Sequence, residues 1–190
     1  EVIYRNANRM NYLINELLTF SKIEMKQMRI SVRKGDIMHF LEELSHIFDI
    51  VAGEREIDFI VNLEDTEEEV WFSPSKLERI LYNLLSNAFK YTQPGGYVKL
   101  SAKLIKEEKG TFVQISVKDN GRGIPKEAQE QIFESYYQVE KRDHREGFGL
   151  GLSLTRSLIH MHKGEIRVES EINKGSDFIV TLNVSEDAYN

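Results

Sequence analysis

The chain has 190 residues, with 25 Lys and Arg against 31 Asp and Glu and a formal net charge of −6. At 41% hydrophobic and 29% charged residues it is too apolar for a disordered polymer, and 12 Gly with 3 Pro are too few for a fibrous one. The acidic excess argues against nucleic-acid binding, and the lack of Cys excludes disulfides, thiolate metal sites and cysteine nucleophiles.

Residues 1–29 read as one long helix. Ala7, Met10, Ile14, Leu17 and Ile23 fall near one face, widened by Leu13, Leu18 and Phe20. So long an apolar stripe calls for partner helices. No run reaches the roughly 20 apolar residues that span a bilayer. The start, Glu1-Val2-Ile3-Tyr4-Arg5, has no signal-peptide pattern and reads as a piece of a longer protein. Any membrane crossing is expected outside it.

Met28–Val32 alternates briefly, and Lys34-Gly35-Asp36 is expected to break the chain. Asp36 then caps a helix to about Ala52. Ile57–Leu63 alternates as a strand, Glu64–Glu69 is an acidic loop, and Val70-Trp71-Phe72 is a short strand. Ser73-Pro74 opens a strong helix running to Tyr91, with Leu77, Ile80, Leu81, Leu84, Leu85 and Ala88 as its buried stripe. Strands follow at Tyr97–Ile105 and Thr111–Lys118. Asp119–Gly151 is a long Gly-rich, charged connection with one short helical patch, Lys126–Phe133; a loop of that length is usually functional. A helix over Gly149–His162 and a hairpin of Gly164–Glu171 and Ser176–Val184 complete the chain. Strands in runs with three helices between them predict a two-layer sandwich, a mixed sheet with helices on one face.

Four constellations carry chemistry. On the Ser75–Tyr91 helix, Asn83 and Asn87 share a face that Lys90 and Tyr91 extend. Such a row suits a hard cation and a phosphate chain, although alone it is also an ordinary polar face. Asp119-Asn120-Gly121-Arg122-Gly123-Ile124-Pro125 follows a strand. There Asp119 can accept from an exocyclic amine, and the glycines permit close approach of a flat ligand. The same run could be a plain turn. Gly147-Phe148-Gly149-Leu150-Gly151-Leu152 opens a helix, where free N–H groups and the helix dipole favour anions. It is neither a dinucleotide fingerprint nor a Walker loop, because no strand immediately precedes it and no Lys-Ser or Lys-Thr follows. Gly175-Ser176-Asp177-Phe178 is, by itself, a hairpin turn.

Taken in order and spacing, these pieces resemble the catalytic domain of sensor histidine kinases. Asn83–Thr92 is similar to the N box, Asp119–Pro125 to the first glycine box, Ile132-Phe133-Glu134 with Tyr136-Tyr137 to the F box, Gly147–Leu152 to the second glycine box and Gly175–Phe178 to the last box. Arg9–Glu24 resembles the second helix of the family's dimerisation hairpin. The division implied is 1–29 for that helix and 30–190 for the ATP-binding domain.

The resemblance implies a Bergerat-type α+β sandwich that binds ATP and magnesium. It implies Asn87 as magnesium ligand, with Asn83, Lys90 and Tyr91 along the phosphates and Asn83 and Lys90 serving the transfer. Asp119 takes the adenine amine, with Gly121, Gly123, Ile124 and Tyr137 about the nucleotide. Gly147, Phe148, Gly149, Leu150, Gly151 and Leu152 wrap the phosphates, and Ser176 reaches adenine through water. It further implies a cytoplasmic location, a homodimer in the whole protein, a response-regulator receiver partner, and no direct contact with membrane or nucleic acid. The family's phosphoacceptor His belongs to a helix expected before Glu1. His39, His46, His144, His160 and His162 lie in no acceptor context, and His162 is expected to be structural. Gln138, Phe148 and Ser73 depart from the family's Arg, Thr and Asp. Related ATPases place a Glu at the position of Asn83; an amide is no carboxylate base. That disfavours an ATPase, and intact Asn87 and Asp119 disfavour a degenerate binding module.

Overall fold

The computed structural model describes residues 10, 14, 18, 19, 21, 22, 25, 28–139 and 149–189. Of the first predicted helix, Met10, Ile14, Leu18, Thr19, Ser21 and Lys22 are helical. Met10, Ile14 and Leu18 expose 65%, 47% and 54% of their surface, so these described members of the stripe are exposed. Ala7, Leu13, Leu17, Phe20 and Ile23 lie outside the described residues. One tie to the rest is a bond from Arg79 Nη1 to Thr19 Oγ1, 2.9 Å.

The expected break at Lys34-Gly35-Asp36 is instead a strand, β1 (Arg33–Asp36). It pairs antiparallel with β3 (Glu69–Phe72) in a separate two-stranded sheet. Its reason is non-local: the partner lies some 35 residues on. Asp36 does cap, its Oδ1 accepting from His39 N at 3.0 Å. The single helix expected beyond it is two, α1 (Ile37–Ser45) and α2 (Ile47–Arg55). Ser45 Oγ donates to the Glu42 carbonyl at 2.7 Å, in competition with the backbone N–H that would continue the helix.

α3 (Pro74–Tyr91) is the central helix. Its predicted stripe is buried, and Phe89 joins it, stacked on Phe48 of α2 at 5.6 Å and edge-on to Phe59 at 5.3 Å. Opposite that stripe the helix turns its amides outward. The five-stranded sheet contains β2 (Asp58–Leu63), β4 (Tyr97–Glu107), β5 (Gly110–Asp119), β6 (Glu165–Glu171) and β7 (Gly175–Asn183), in the order β2-β4-β5-β7-β6. Only β2 and β4 are parallel, so the sheet is mixed as predicted. α4 (Gly151–Met161) packs beside α3. The patch expected at Lys126–Phe133 forms two 3-10 turns, Lys126–Ala128 and Gln131–Phe133. Gln129 ties them down, its Nε2 donating to the carbonyls of Ile124 (3.1 Å) and Ser170 (2.8 Å).

His162 closes the end of α4 and is fully buried. Ser73 N–H donates to its Nε2 at 3.2 Å, and Nδ1 faces the Leu158 carbonyl at 3.2 Å. The ring is therefore neutral, with its proton on Nδ1. Burial, opposed by the Leu158 carbonyl and reinforced by Lys76, holds its pKa below the ordinary value. On acidification the unfolded chain takes the proton first, so stability is complete above about pH 6.5 and falls as pH drops from there toward the folded value. Thermal melts of the protein and of His162→Gln between pH 7 and 5 check this. The wild-type melting temperature is expected to fall more steeply; equal slopes would remove His162 as the cause.

Candidate functional site

The outward face of α3 forms one wall of a cavity of about 370 Å³. Asn83, Ser86, Asn87, Lys90 and Tyr91 line it, all placed there by the 3.6-residue period that buries the opposite stripe. Lys90 Nζ donates to Tyr91 Oη at 3.1 Å. The Arg122 guanidinium stands 4.4 Å from the Tyr91 ring centroid. Two cations thus flank one phenol on this wall.

The floor comes from the sheet. Antiparallel pairing of β5 with β7 sets Asp119 opposite Ser176, 57 positions later in the chain. Asp119 is 4% exposed, and its Oδ1 accepts from Gly121 N at 2.8 Å. Burial raises its pKa; the N–H groups of Gly121 and Ser176 oppose the rise, and the charge of Asp177 adds to it. Ser176 Oγ and Ser170 Oγ are 2.9 Å apart, and Ser170 Oγ also donates to the Gly175 carbonyl and accepts from Ile124 N. The wall beside Asp119 is thereby pinned by backbone contacts.

The third side is the start of α4. Gly149, Leu150, Gly151 and Leu152 line the cavity, and among the described residues no side chain caps the helix, whose first N–H groups lack intrahelical partners and favour an anion. Gly149 has φ +70°, and a Cβ there would stand 2.6 Å from the Tyr137 carbonyl oxygen. Tyr136 N–H donates to the Gly149 carbonyl at 2.9 Å, which joins the F-box segment to this turn.

Of the residues predicted for the site, Asn83, Asn87, Lys90, Tyr91, Asp119, Gly123, Ile124, Tyr137, Gly149, Leu150, Gly151, Leu152 and Ser176 meet on this cavity. Gly121 does not line it. A Cβ there would collide with the Tyr91 carbonyl, so this glycine serves the packing of the turn against α3. Gly147 and Phe148 lie outside the described residues. Ser86, Arg122, Ile132, Gln138 and Phe178 also line the cavity without having been assigned to it. Ser86 was findable three residues after Asn83; Phe178 required the β5–β7 register. Among the described lining residues Asp119 is the sole carboxylate. Among the described residues no cluster of three His, Cys, Asp or Glu could hold a metal. Asn83 and Asn87 put two amides on the α3 wall of the cavity, and an amide oxygen fits a hard cation shared with phosphates.

The model of the family described as histidine kinase-, DNA gyrase B-, and HSP90-like ATPase matches residues 72–186. Sensor histidine kinase WalK of Bacillus subtilis (strain 168) is 34% identical over 188 residues, covering 98% of this chain and 30% of WalK. Adaptive-response sensory kinase SasA of Crocosphaera subtropica (strain ATCC 51142 / BH68) is 34% identical over 175 residues, covering 92% of this chain and 45% of SasA. The structure of full-length ShkA in complex with AMPPNP superposes with a TM-score of 0.84 at 26% identity, covering 95% of this chain and 37% of that one. The chain thus spans less than half the length of these relatives. Fold and cleft define the class, an ATP-binding catalytic domain of the sensor histidine kinase type. The chain belongs to the histidine kinase-, DNA gyrase B-, and HSP90-like ATPase family. Among the described residues no helix is long and apolar enough to cross a membrane.

Proposed function

We propose that this chain binds ATP with magnesium over α3 and donates the γ-phosphoryl group to a histidine, for relay to an Asp of a response-regulator receiver domain. The observation that carries the reading is the meeting of four separate chain segments on one cavity: the Asn83–Tyr91 face, Asp119, Ser176 and the Gly149–Leu152 turn. Asp119 accepts from the adenine amine, with Gly123 and Ile124 beside the ring. Asn83, Lys90, Tyr91 and the N–H groups of α4 hold the phosphates. Asn87 Oδ1 would hold magnesium, which when bound neutralises phosphate charge. In the transfer, the bond from the γ-phosphorus to the bridging oxygen breaks, its electron pair leaves with ADP, and a P–N bond forms to imidazole. Such transfer needs positioning and charge neutralisation more than acid–base chemistry. Asn83 cannot take a proton from water as a carboxylate would, which favours transfer over hydrolysis.

We also propose that residues 1–29 form the second helix of a dimerisation hairpin and 30–190 the catalytic domain, in a homodimeric, cytoplasmic region of a longer protein. The exposed Met10, Ile14 and Leu18 support a partner helix. Labelled ATP offered to a longer protein with its preceding helix is expected to give an acid-labile, alkali-stable phosphoryl label on histidine. The 190-residue chain alone is expected to label negligibly. Steady ATP hydrolysis without protein label would overturn the reading.

A further inference from the structure

Asn83 has its amide held from the neighbouring helix. Its Nδ2 donates to Thr155 Oγ1 at 2.8 Å. Thr155 is 1% exposed on α4, one turn after Gly151. A Cβ at Gly151 would sit 2.5 Å from Asn83 Oδ1 and 3.3 Å from Nδ2, so the glycine leaves room for the amide to lie flat against α4. Asn83 also separates the main cavity from a second of about 270 Å³, lined by Ser75, Glu78, Arg79, Leu154 and Thr155 among others. An amide between two open spaces has little packing beyond Gly151 to choose its rotamer.

We propose that Thr155 is a positioning residue: its buried hydroxyl engages the Asn83 nitrogen and so keeps Oδ1 available to the phosphate end of the nucleotide cavity. The two ends of a primary amide are alike in shape and opposite in hydrogen bonding. Flipped, Asn83 would set an N–H pair where an oxygen is needed. In the bond as it stands the hydroxyl takes the Nδ2 side of the amide and leaves the Oδ1 side to the cavity. The bond also ties α3 to α4, so the wall that carries the amides and the helix start that carries the free N–H groups are held in one register. This proposal rests on the reading of the cavity as a magnesium–ATP site.

The test compares Thr155→Val, Thr155→Ser and Asn83→Ala in this chain by calorimetry with a β,γ-imido ATP analogue in magnesium and, separately, with adenosine. Valine keeps the shape and loses the acceptor; serine keeps the acceptor. Thr155→Val is expected to weaken the analogue about 5- to 10-fold, the worth of one hydrogen bond. Adenosine affinity and melting temperature should hold, and Thr155→Ser should bind the analogue nearly as wild type. In the double variant with Asn83→Ala, Thr155→Val should add nothing, because both act through one amide. Three results would overturn the proposal: unchanged analogue affinity in Thr155→Val while Asn83→Ala is weakened, additive losses, or a parallel loss of adenosine. If Asn83→Ala itself leaves the analogue unaffected, the reading of the cavity fails first and the proposal with it.

Discussion

Replacing Asn87 with Ala is expected to abolish the magnesium-dependent part of nucleotide binding. Asn87 lines the cavity one turn after Asn83 and three residues before Lys90, on the face of α3 opposite the buried stripe. Magnesium takes few protein ligands beside phosphates and waters, so each one it keeps counts heavily. Partners one shell removed from a metal already cost about 10- to 100-fold when mutated; loss of a direct ligand should reach the upper end of that range, on the order of 100-fold. The measurement is a titration of the ATP analogue in magnesium and again in EDTA. The wild-type protein should bind far more tightly in magnesium, and Asn87→Ala equally weakly in both. Asn87 is half-buried on the cavity wall and alanine is the best helix former, so the melting temperature should change little. A variant that still gains affinity from magnesium would place the metal ligand elsewhere.

Asp119→Asn should cost nearly as much for ATP and nothing for the fold. The wild-type carboxyl is buried, and burial raises its pKa. As pH rises past the ordinary value near 3.9 the unfolded chain releases its proton first, so stability declines until the folded value is passed and stays on that lower plateau at neutrality. Its charge is thus carried at a cost that the Gly121 and Ser176 N–H groups offset only in part. Asparagine can still accept from Gly121 N–H through Oδ1, but then turns an N–H pair toward the adenine amine, donor against donor. Losing that bond and stranding a buried donor comes to about 2–3 kcal/mol, or roughly 30- to 150-fold in affinity. Calorimetry with the ATP analogue should show this drop, a melting temperature at pH 7 equal to or above wild type, and a smaller loss for a guanine nucleotide, whose ring carries an oxygen in place of the amine. Undiminished ATP affinity, or a loss matched by a lower melting temperature, would deny Asp119 its adenine contact.

Much of the site was readable because helix α3 does two jobs with one period. Leu77, Ile80, Leu81, Leu84 and Leu85 had to face the sheet, which left Asn83, Asn87 and Lys90 together on the outside. Pro74 marked where that helix begins. The cap at Asp36 was local too, since a side chain and an N–H three residues apart settle it. The strand at Arg33–Asp36 was missed because Lys34, Gly35 and Asp36 have low strand preference; pairing with Glu69–Phe72 overrides it. At the split the Glu42 carbonyl accepts from both the Ser45 hydroxyl, at 2.7 Å, and the His46 N–H, at 3.4 Å, a sharing that periodicity does not register. The Gly121 position suggests room for a ligand, while its missing side chain makes room for the Tyr91 carbonyl.

By itself the sequence determined most of the element types, the mixed sandwich and the face of α3 that carries amides, because helix and strand periods and glycine placement act over a few residues. Tertiary structure alone decided that Asp119 meets Ser176, that Arg122 lies over Tyr91 and that Thr155 holds Asn83. Those contacts join residues 31 to 72 positions apart, and strand register and helix packing choose them through the burial of the whole core rather than through any preference of the residues themselves.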